Sequence, residues 1–315
     1  MVTLDTKTFT SVDNTSHPGR PGLDELVPSR YALRVGEIDV LMVSDGVLSI
    51  SAPAMLPNAD PAVRAAWLDD MFLPPENIVF PLNQVVVRSG GRTILIDAGI
   101  GVDYLEFTPR AGRWGSRLEA AGIDLASVTD VVLTHMHFDH VGGLLVDGVK
   151  DRLRPDLRIH ASAAEADFWL SPDFSRNSGL PAWGRDAMLS SSKRFLNGYG
   201  NQLRTFETEY EVAPGVVVRR TGGHTPGHSV VRLASGGDRL TFVGDAVLPA
   251  GFEHPDWHNA FEHDPEEATR VRIRLLRELA ETGEPLVATH LSFPSICHVA
   301  VAGDAFRCVP ATWEY

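Results

Sequence analysis

The segment Val131-Val132-Leu133-Thr134-His135-Met136-His137-Phe138-Asp139-His140 constrains this chain more than any other. Val131–Thr134 has the make-up of a buried strand, and it runs directly into three imidazoles and a carboxylate. Side chains alternate along an extended segment, so His135 and His137 face the same side. Asp139 and His140 fall on the turn into Val141-Gly142-Gly143, which presents them to a second position. Neutral imidazole and carboxylate are the donors that a borderline divalent cation takes where thiolate is absent. A fold built on this segment therefore needs a strand end that opens onto a cation site.

Three more donors stand in equivalent places. His224 follows the apolar run Val216–Arg220, within Thr221-Gly222-Gly223-His224-Thr225-Pro226-Gly227-His228. Asp245 ends Leu240-Thr241-Phe242-Val243-Gly244-Asp245, and His290 ends Leu286-Val287-Ala288-Thr289-His290. His228 is expected to order the loop behind His224, whereas His17, His160, His254, His258, His263 and His298 read as surface or supporting groups. The competing interpretation is a set of histidines kept for packing. A closed structural zinc fits poorly, because such sites are often rich in cysteine.

Around these segments the chain alternates short β-rich runs with amphipathic helices. Strands are predicted at Tyr31–Val35, Ile38–Ser44, Val85–Ser89 and Thr93–Asp97, with Gly36, Asp45-Gly46 and Gly90-Gly91 read as the turns between them. Further strands are predicted at Val131–Thr134, Val216–Arg220, Val230–Leu233, Leu240–Gly244 and Leu286–Ala288. Helical periodicity marks Arg113–Ala121, Ala161–Leu170 and Met188–Tyr199, and most clearly Pro265–Thr282. There Asp264 is the expected cap, Pro265 suits the first turn, Glu267 completes a capping box, and Ala268, Val271, Leu275 and Leu279 form one apolar stripe. The pattern predicts an α/β (α+β) chain with two mixed sheets packed together and helices outside. Residues 1–30, polar and rich in Pro and Gly, are expected to form an arm, and 31–315 one domain.

Charge narrows the partners. Lys and Arg number 28 against 41 Asp and Glu, a net −13, which disfavours nucleic acid and anionic lipid surfaces. No stretch approaches the roughly 20 apolar residues that span a bilayer, and no secretory signal is visible, so a cytoplasmic location is expected. The two cysteines, Cys297 and Cys308, are expected to be free thiols.

With these motifs in place, the stretch from about Tyr31 to Pro310 resembles the metallo-β-lactamase superfamily. The resemblance implies a four-layered αββα sandwich with a metal site at one edge of the sheets. It implies that His135, His137 and His224 hold a first metal and that Asp139, His140 and His290 hold a second, with Asp245 bridging both. Asp97, in Leu95-Ile96-Asp97-Ala98-Gly99, is implied as a supporting group. Two Zn2+ ions, or other divalent transition metals, would share a water and lower its pKa from roughly 15.7 toward about 7. The bridging hydroxide is then the nucleophile, and Asp139 doubles as ligand and proton acceptor.

Within the superfamily the chain looks closest to the methyl parathion hydrolase group, on Thr134–Gly143, Ala166–Leu170, Gly244–Leu248 and His290–Pro294. It is also similar to N-acyl-homoserine lactonases, although their tyrosine three residues past the bridging aspartate is here Leu248. The expected activity is hydrolysis of carboxylic esters or lactones with apolar or aryl groups. Phosphotriester hydrolysis and acyl-homoserine lactone hydrolysis are the alternatives. Trp169, Phe138 and Phe252 are expected at the substrate pocket, and the loop Pro249–Asp264 is a candidate lid. The arm and the resemblance together make a homodimer the expected assembly.

Overall fold

The computed structural model describes residues 27–106, 108–177 and 179–313. The arm expected over 1–30 lies outside these residues except for 27–30, and Arg30 already belongs to the first strand.

The chain builds two seven-stranded sheets one after the other. The first contains β1 (Arg30–Val35), β2 (Ile38–Ser51), β3 (Asn77–Ser89), β4 (Arg92–Ile96), β5 (Asp130–Val132), β6 (Arg158–Ser162) and β7 (Leu203–Phe206), side by side in chain order. β1 to β4 run antiparallel, and β4 to β7 run parallel. The second contains β8 (Glu209–Ala213), β9 (Val216–Arg220), β10 (Ser229–Ser235), β11 (Asp238–Phe242), β12 (Leu286–Val287), β13 (Ile296–Ala302) and β14 (Ala305–Pro310). Here only β11 and β12 are parallel, which requires a crossover, and the helix Pro265–Thr282 lies within it.

Alternation along the strands explains the layering. Val85, Val87, Ile94 and Ile96 point between the sheets, where they meet Val216, Val218, Val231, Leu233 and Phe242. The intervening Val86 and Leu95 point outward and pack under Trp67, Trp114, Leu118, Met188 and Phe195 from the helices on that face. The far face of the second sheet offers Val230, Leu286 and Val299 to Val271, Leu275, Leu276 and Leu279 of the crossover helix. Helix, sheet, sheet and helix therefore stack as four layers around three apolar clusters.

The helix Pro265–Thr282 has the predicted bounds. Asp264 caps it by accepting from Glu267 N at 3.1 Å, but the Glu267 carboxylate pairs with Arg270 instead of closing the capping box. Gly90-Gly91 joins β3 and β4 as expected. Asp45-Gly46 does not make a turn. β2 continues through it with a bulge between Ser44 and Gly46, which turns the Asp45 carboxylate to accept from Ile100 N at 2.7 Å and Trp114 N at 2.5 Å. Gly46 permits this because its φ is +122° and a Cβ there would stand 2.0 Å from Arg110 O. The helix expected from Ala161 begins at Ala163, since Ala161 and Ser162 complete β6.

Candidate metal centre

The donors occupy the same edge of both sheets. Asp97 follows β4, and His135 to His140 follow β5, while His224 sits in the loop joining β9 to β10. Asp245 follows β11 and His290 follows β12. Four of these five segments leave the carboxyl ends of strands in parallel pairs, the usual edge for a ligand in such sheets. The turn after β5 can curl tightly because a Cβ at Gly143 would stand 1.9 Å from Ala98 O, an approach that only glycine allows.

All seven expected donors are buried and they converge. Donor atoms of His135, His137 and His224 lie within 4.8 Å of one another, as do those of His135, His140 and Asp245, and those of Asp139, His140 and His290. His135 and His140 each belong to two of these groups and link the three. The Asp245 carboxylate lies 3.1 Å from His290 Nε2, 3.3 Å from His140 Nε2, 3.5 Å from His224 Nε2 and 4.0 Å from His135 Nε2. Asp139 Oδ2 stands 3.5 Å from His290 Nε2 and 3.7 Å from His140 Nε2. Four-coordinate zinc with bonds of about 2.0–2.1 Å sets neighbouring donor atoms about 3.3 Å apart, so this spacing suits cations. Among the described residues, buried His135 Nε2 and His137 Nε2 also have no hydrogen-bond partner, a costly state that a cation would relieve.

Electrostatics divide the imidazoles into two groups. Burial, reinforced by neighbouring histidines, holds His135, His137 and His224 well below the usual imidazole range, so they are neutral with lone pairs available. Burial also opposes charge on His140, but Asp245, Asp97 and Asp139 outweigh it and raise its pKa. His290 is raised in the same way by Asp245 and Asp139. Burial raises Asp139, whereas His290 and His140 hold Asp245 well below the carboxylate range despite its burial. The second half of the cluster thus has a strong demand for positive charge.

A supporting layer fixes these orientations. Asp97 pairs with His140 Nδ1 at 2.8 Å and accepts from Thr134 N and Oγ1 at 2.9 and 2.8 Å, leaving His140 Nε2 for Asp245. Asp97 adopts a positive φ of 59°, a conformation that Asp tolerates better than most residues. His290 Nδ1 lies 2.9 Å from Pro81 O, and Asn83 Nδ2 donates to Thr289 O and Leu291 O on either side. His228 accepts from Asp245 N through Nε2 at 3.2 Å and meets Thr221 Oγ1 through Nδ1 at 2.8 Å. Burial pushes His228 down to about 4, in keeping with a neutral ring.

Glu165 was not anticipated. Its Oε1 accepts from Met136 N and Trp169 Nε1, both at 2.8 Å, and its Oε2 accepts from Thr225 Oγ1 at 2.5 Å and Gly227 N at 3.1 Å. One buried carboxylate therefore ties the backbone between His135 and His137 to the loop that carries His224. Its sequence context, Ser162-Ala163-Ala164-Glu165, reads as a capping box, and Ser162 does accept from Glu165 N at 3.2 Å. That local pattern conceals the long-range one.

Of the expected pocket residues, Phe138 lines the cavity over the donors, with Leu48, Ile50, Met55, Phe80, Asn259 and Phe261. Trp169 instead lies behind His137, edge-on at 5.9 Å between ring centroids. Phe252 belongs to the apolar cluster of the second sheet with Val271 and Leu275, because the short helix Ala250–Glu253 turns it away from the donors. The segment 249–264, the candidate lid, contributes Asn259 and Phe261 to the cavity wall and is fastened to the elements around it. Buried Arg272 donates to Ala246 O, Pro255 O and Trp257 O and pairs with Glu262, while Asn177 Nδ2 donates to Ala260 O and Glu262 O.

A family model described as "Metallo-beta-lactamase superfamily" matches residues 77–290. The dizinc quorum-quenching lactonase AidC, solved with a product bound, is 25% identical and superposes with a TM-score of 0.83 over 91% of this chain and 99% of its own. The hydrolase AbOPH, described as in the beta lactamase superfamily, is 26% identical, with a TM-score of 0.79 over 92% of this chain and 99% of its own. A probable metallo-hydrolase of Mycobacterium tuberculosis is 24% identical over 225 residues, 65% of this chain and 70% of the relative.

Proposed function

The chain belongs to the metallo-beta-lactamase superfamily, and from that premise we propose that it hydrolyses carboxylic esters or lactones bearing apolar or aryl groups, with two zinc ions per chain. The observation that carries this is the convergence of seven buried donors, in three overlapping groups, beneath a cavity with apolar walls. His135, His137 and His224 would hold one ion, and Asp139, His140 and His290 the other, with Asp245 between them. Cations held there would supply Lewis acidity, making solvent a nucleophile near neutral pH and polarising the scissile carbonyl.

The chain's own groups account for the rest. Asp139 accepts the proton that solvent loses on attack and returns it to the departing oxygen, a task its place in the cavity lining beside His290 allows. Asp97 and Pro81 O fix the rings of His140 and His290 through Nδ1, which leaves both Nε2 atoms turned toward Asp139 and Asp245. Phe138, Phe261, Met55 and Phe80 exclude bulk water and strengthen every charge interaction inside. The cavity is narrow, so only the reacting group fits beneath these rings, and the substrate body extends past Phe138 and Phe261 toward exposed Trp183, whose ring centroid lies 6.4 and 5.7 Å from theirs.

Metal-quantified protein assayed on aryl esters, lactones and aryl phosphotriesters tests the proposal. About two equivalents of metal, turnover of esters or lactones, and loss of turnover on chelation are expected. Full activity in metal-free protein would overturn it. Phosphotriester rates far above the others would favour the methyl parathion hydrolase-like alternative, and a strict demand for acyl-homoserine lactones the narrower lactonase.

A further inference from the structure

The wall segment brings to the cavity one polar group that the proposed chemistry leaves unused. Asn259 is 3% exposed and lines the cavity beside Asp139, Asp245 and His290. It is held rigidly. Its N–H donates to Glu262 Oε2 at 2.9 Å, its carbonyl accepts from Glu262 N at 3.0 Å, and its Oδ1 accepts from Phe261 N at 2.9 Å. Because Oδ1 is committed to an N–H, the other end of the carboxamide is the donor Nδ2, and among the described residues Nδ2 has no hydrogen-bond partner.

Apart from the cation donors, the other cavity walls are apolar: Leu48, Ile50, Met55, Phe80, Phe138 and Phe261. Asn259 also borders an outer cleft formed by Pro57, Arg176, His258 and Glu266, so it stands where the two spaces adjoin. A fixed amide donor in an apolar wall discriminates by what it is denied. A substrate that buries it without offering an acceptor strands an N–H, whereas one with an acceptor at that place does not.

We infer that Asn259 is a specificity-determining residue whose Nδ2 donates to a hydrogen-bond acceptor carried by the substrate beside the scissile bond. This rests on the ester and lactone activity proposed above. It directs the site toward esters with an ether, keto or amide oxygen a few atoms from the carbonyl, in preference to plain alkyl esters of the same shape.

Two isosteric pairs test it: aryl methoxyacetate against aryl butanoate for the acyl side, and 2-methoxyethyl against butyl esters for the alcohol side. The quantity compared is the ratio of kcat/KM within each pair, so intrinsic reactivity and general damage cancel. The variants are Asn259→Ala and Asn259→Asp, the second of which keeps an acceptor for Phe261 N but has no amide donor. In at least one pair the preference for the oxygen-bearing ester is expected to fall about fivefold in both variants, the size of one neutral hydrogen bond. The pair that responds identifies the side on which the acceptor sits. Ratios within about twofold of wild type in both pairs would overturn the inference while leaving the esterase proposal standing. A metal-loaded wild type that turns over none of the four esters would instead overturn the esterase proposal, and this inference with it.

Discussion

Two carboxylates at the site have different duties, and substitution separates them. Asp139 stands within the donor cluster, next to His140 and His290, and is the proton acceptor of the proposed reaction. Asp139→Asn keeps the shape and removes the proton acceptor, so kcat should fall by about 10²–10³-fold, with weaker metal retention, in steady-state assays of metal-quantified protein. Glu165 is fully buried and grips both histidine loops. Glu165→Gln places an amide where four donors converge, and metal affinity measured by competition with a chelating dye should weaken by about 10–100-fold. Asp139 was legible in the sequence because its motif is local. Glu165 was not, since its partners at 136, 225 and 227 become neighbours only after β5, β6 and the β9–β10 loop assemble. Asn259 lay hidden for the same reason: nothing near it in the chain indicates that it lines the same cavity as Asp139.

At the scale of elements, regular periodicity was the dependable guide. The crossover helix and β9 have the predicted bounds, because each places its apolar residues at one clear spacing between capping or turn residues. β7 and β8 escaped notice because their exposed positions carry polar residues: Leu203–Phe206 and Glu209–Ala213 each bury only one or two side chains. The crossover helix also has a member that its apolar stripe did not announce. Arg272 lies buried beside that stripe and fastens the wall segment through Pro255 O, Trp257 O and Glu262, with a further bond to Ala246 O. Arg272→Ala removes the ion-pair partner of buried Glu262, whose pKa burial already raises to about 7, at an expected cost of about 3–5 kcal/mol in denaturant unfolding. Arg270→Ala, which removes an exposed arginine from the same helix, should give an unchanged midpoint.

For the molecule as a whole, the sandwich was legible from the order of strands and helices, and the position of the site from donors at strand ends. What the sequence could not convey is how evenly the two sheets share the donor set. His135, His137, Asp139 and His140 leave the first sheet, and His224, Asp245 and His290 leave the second. Any ion held among them therefore pins one sheet to the other. Metal-loaded protein should melt above chelator-treated protein, with a stabilisation of about 2.7 kcal/mol when free metal stands at 100 times its Kd, read by calorimetry. Equal melting temperatures would mean that the cluster does not clamp the sheets.

The two sheets come from consecutive lengths of chain, and the passage from β7 to β8 consists only of Glu207 and Thr208, both exposed. A backbone cut at that short bridge would yield two polypeptides, each with one complete sheet and neither with a full set of donors. The proposed activity would then depend on the pieces re-docking, so that its return would register the meeting of the two halves.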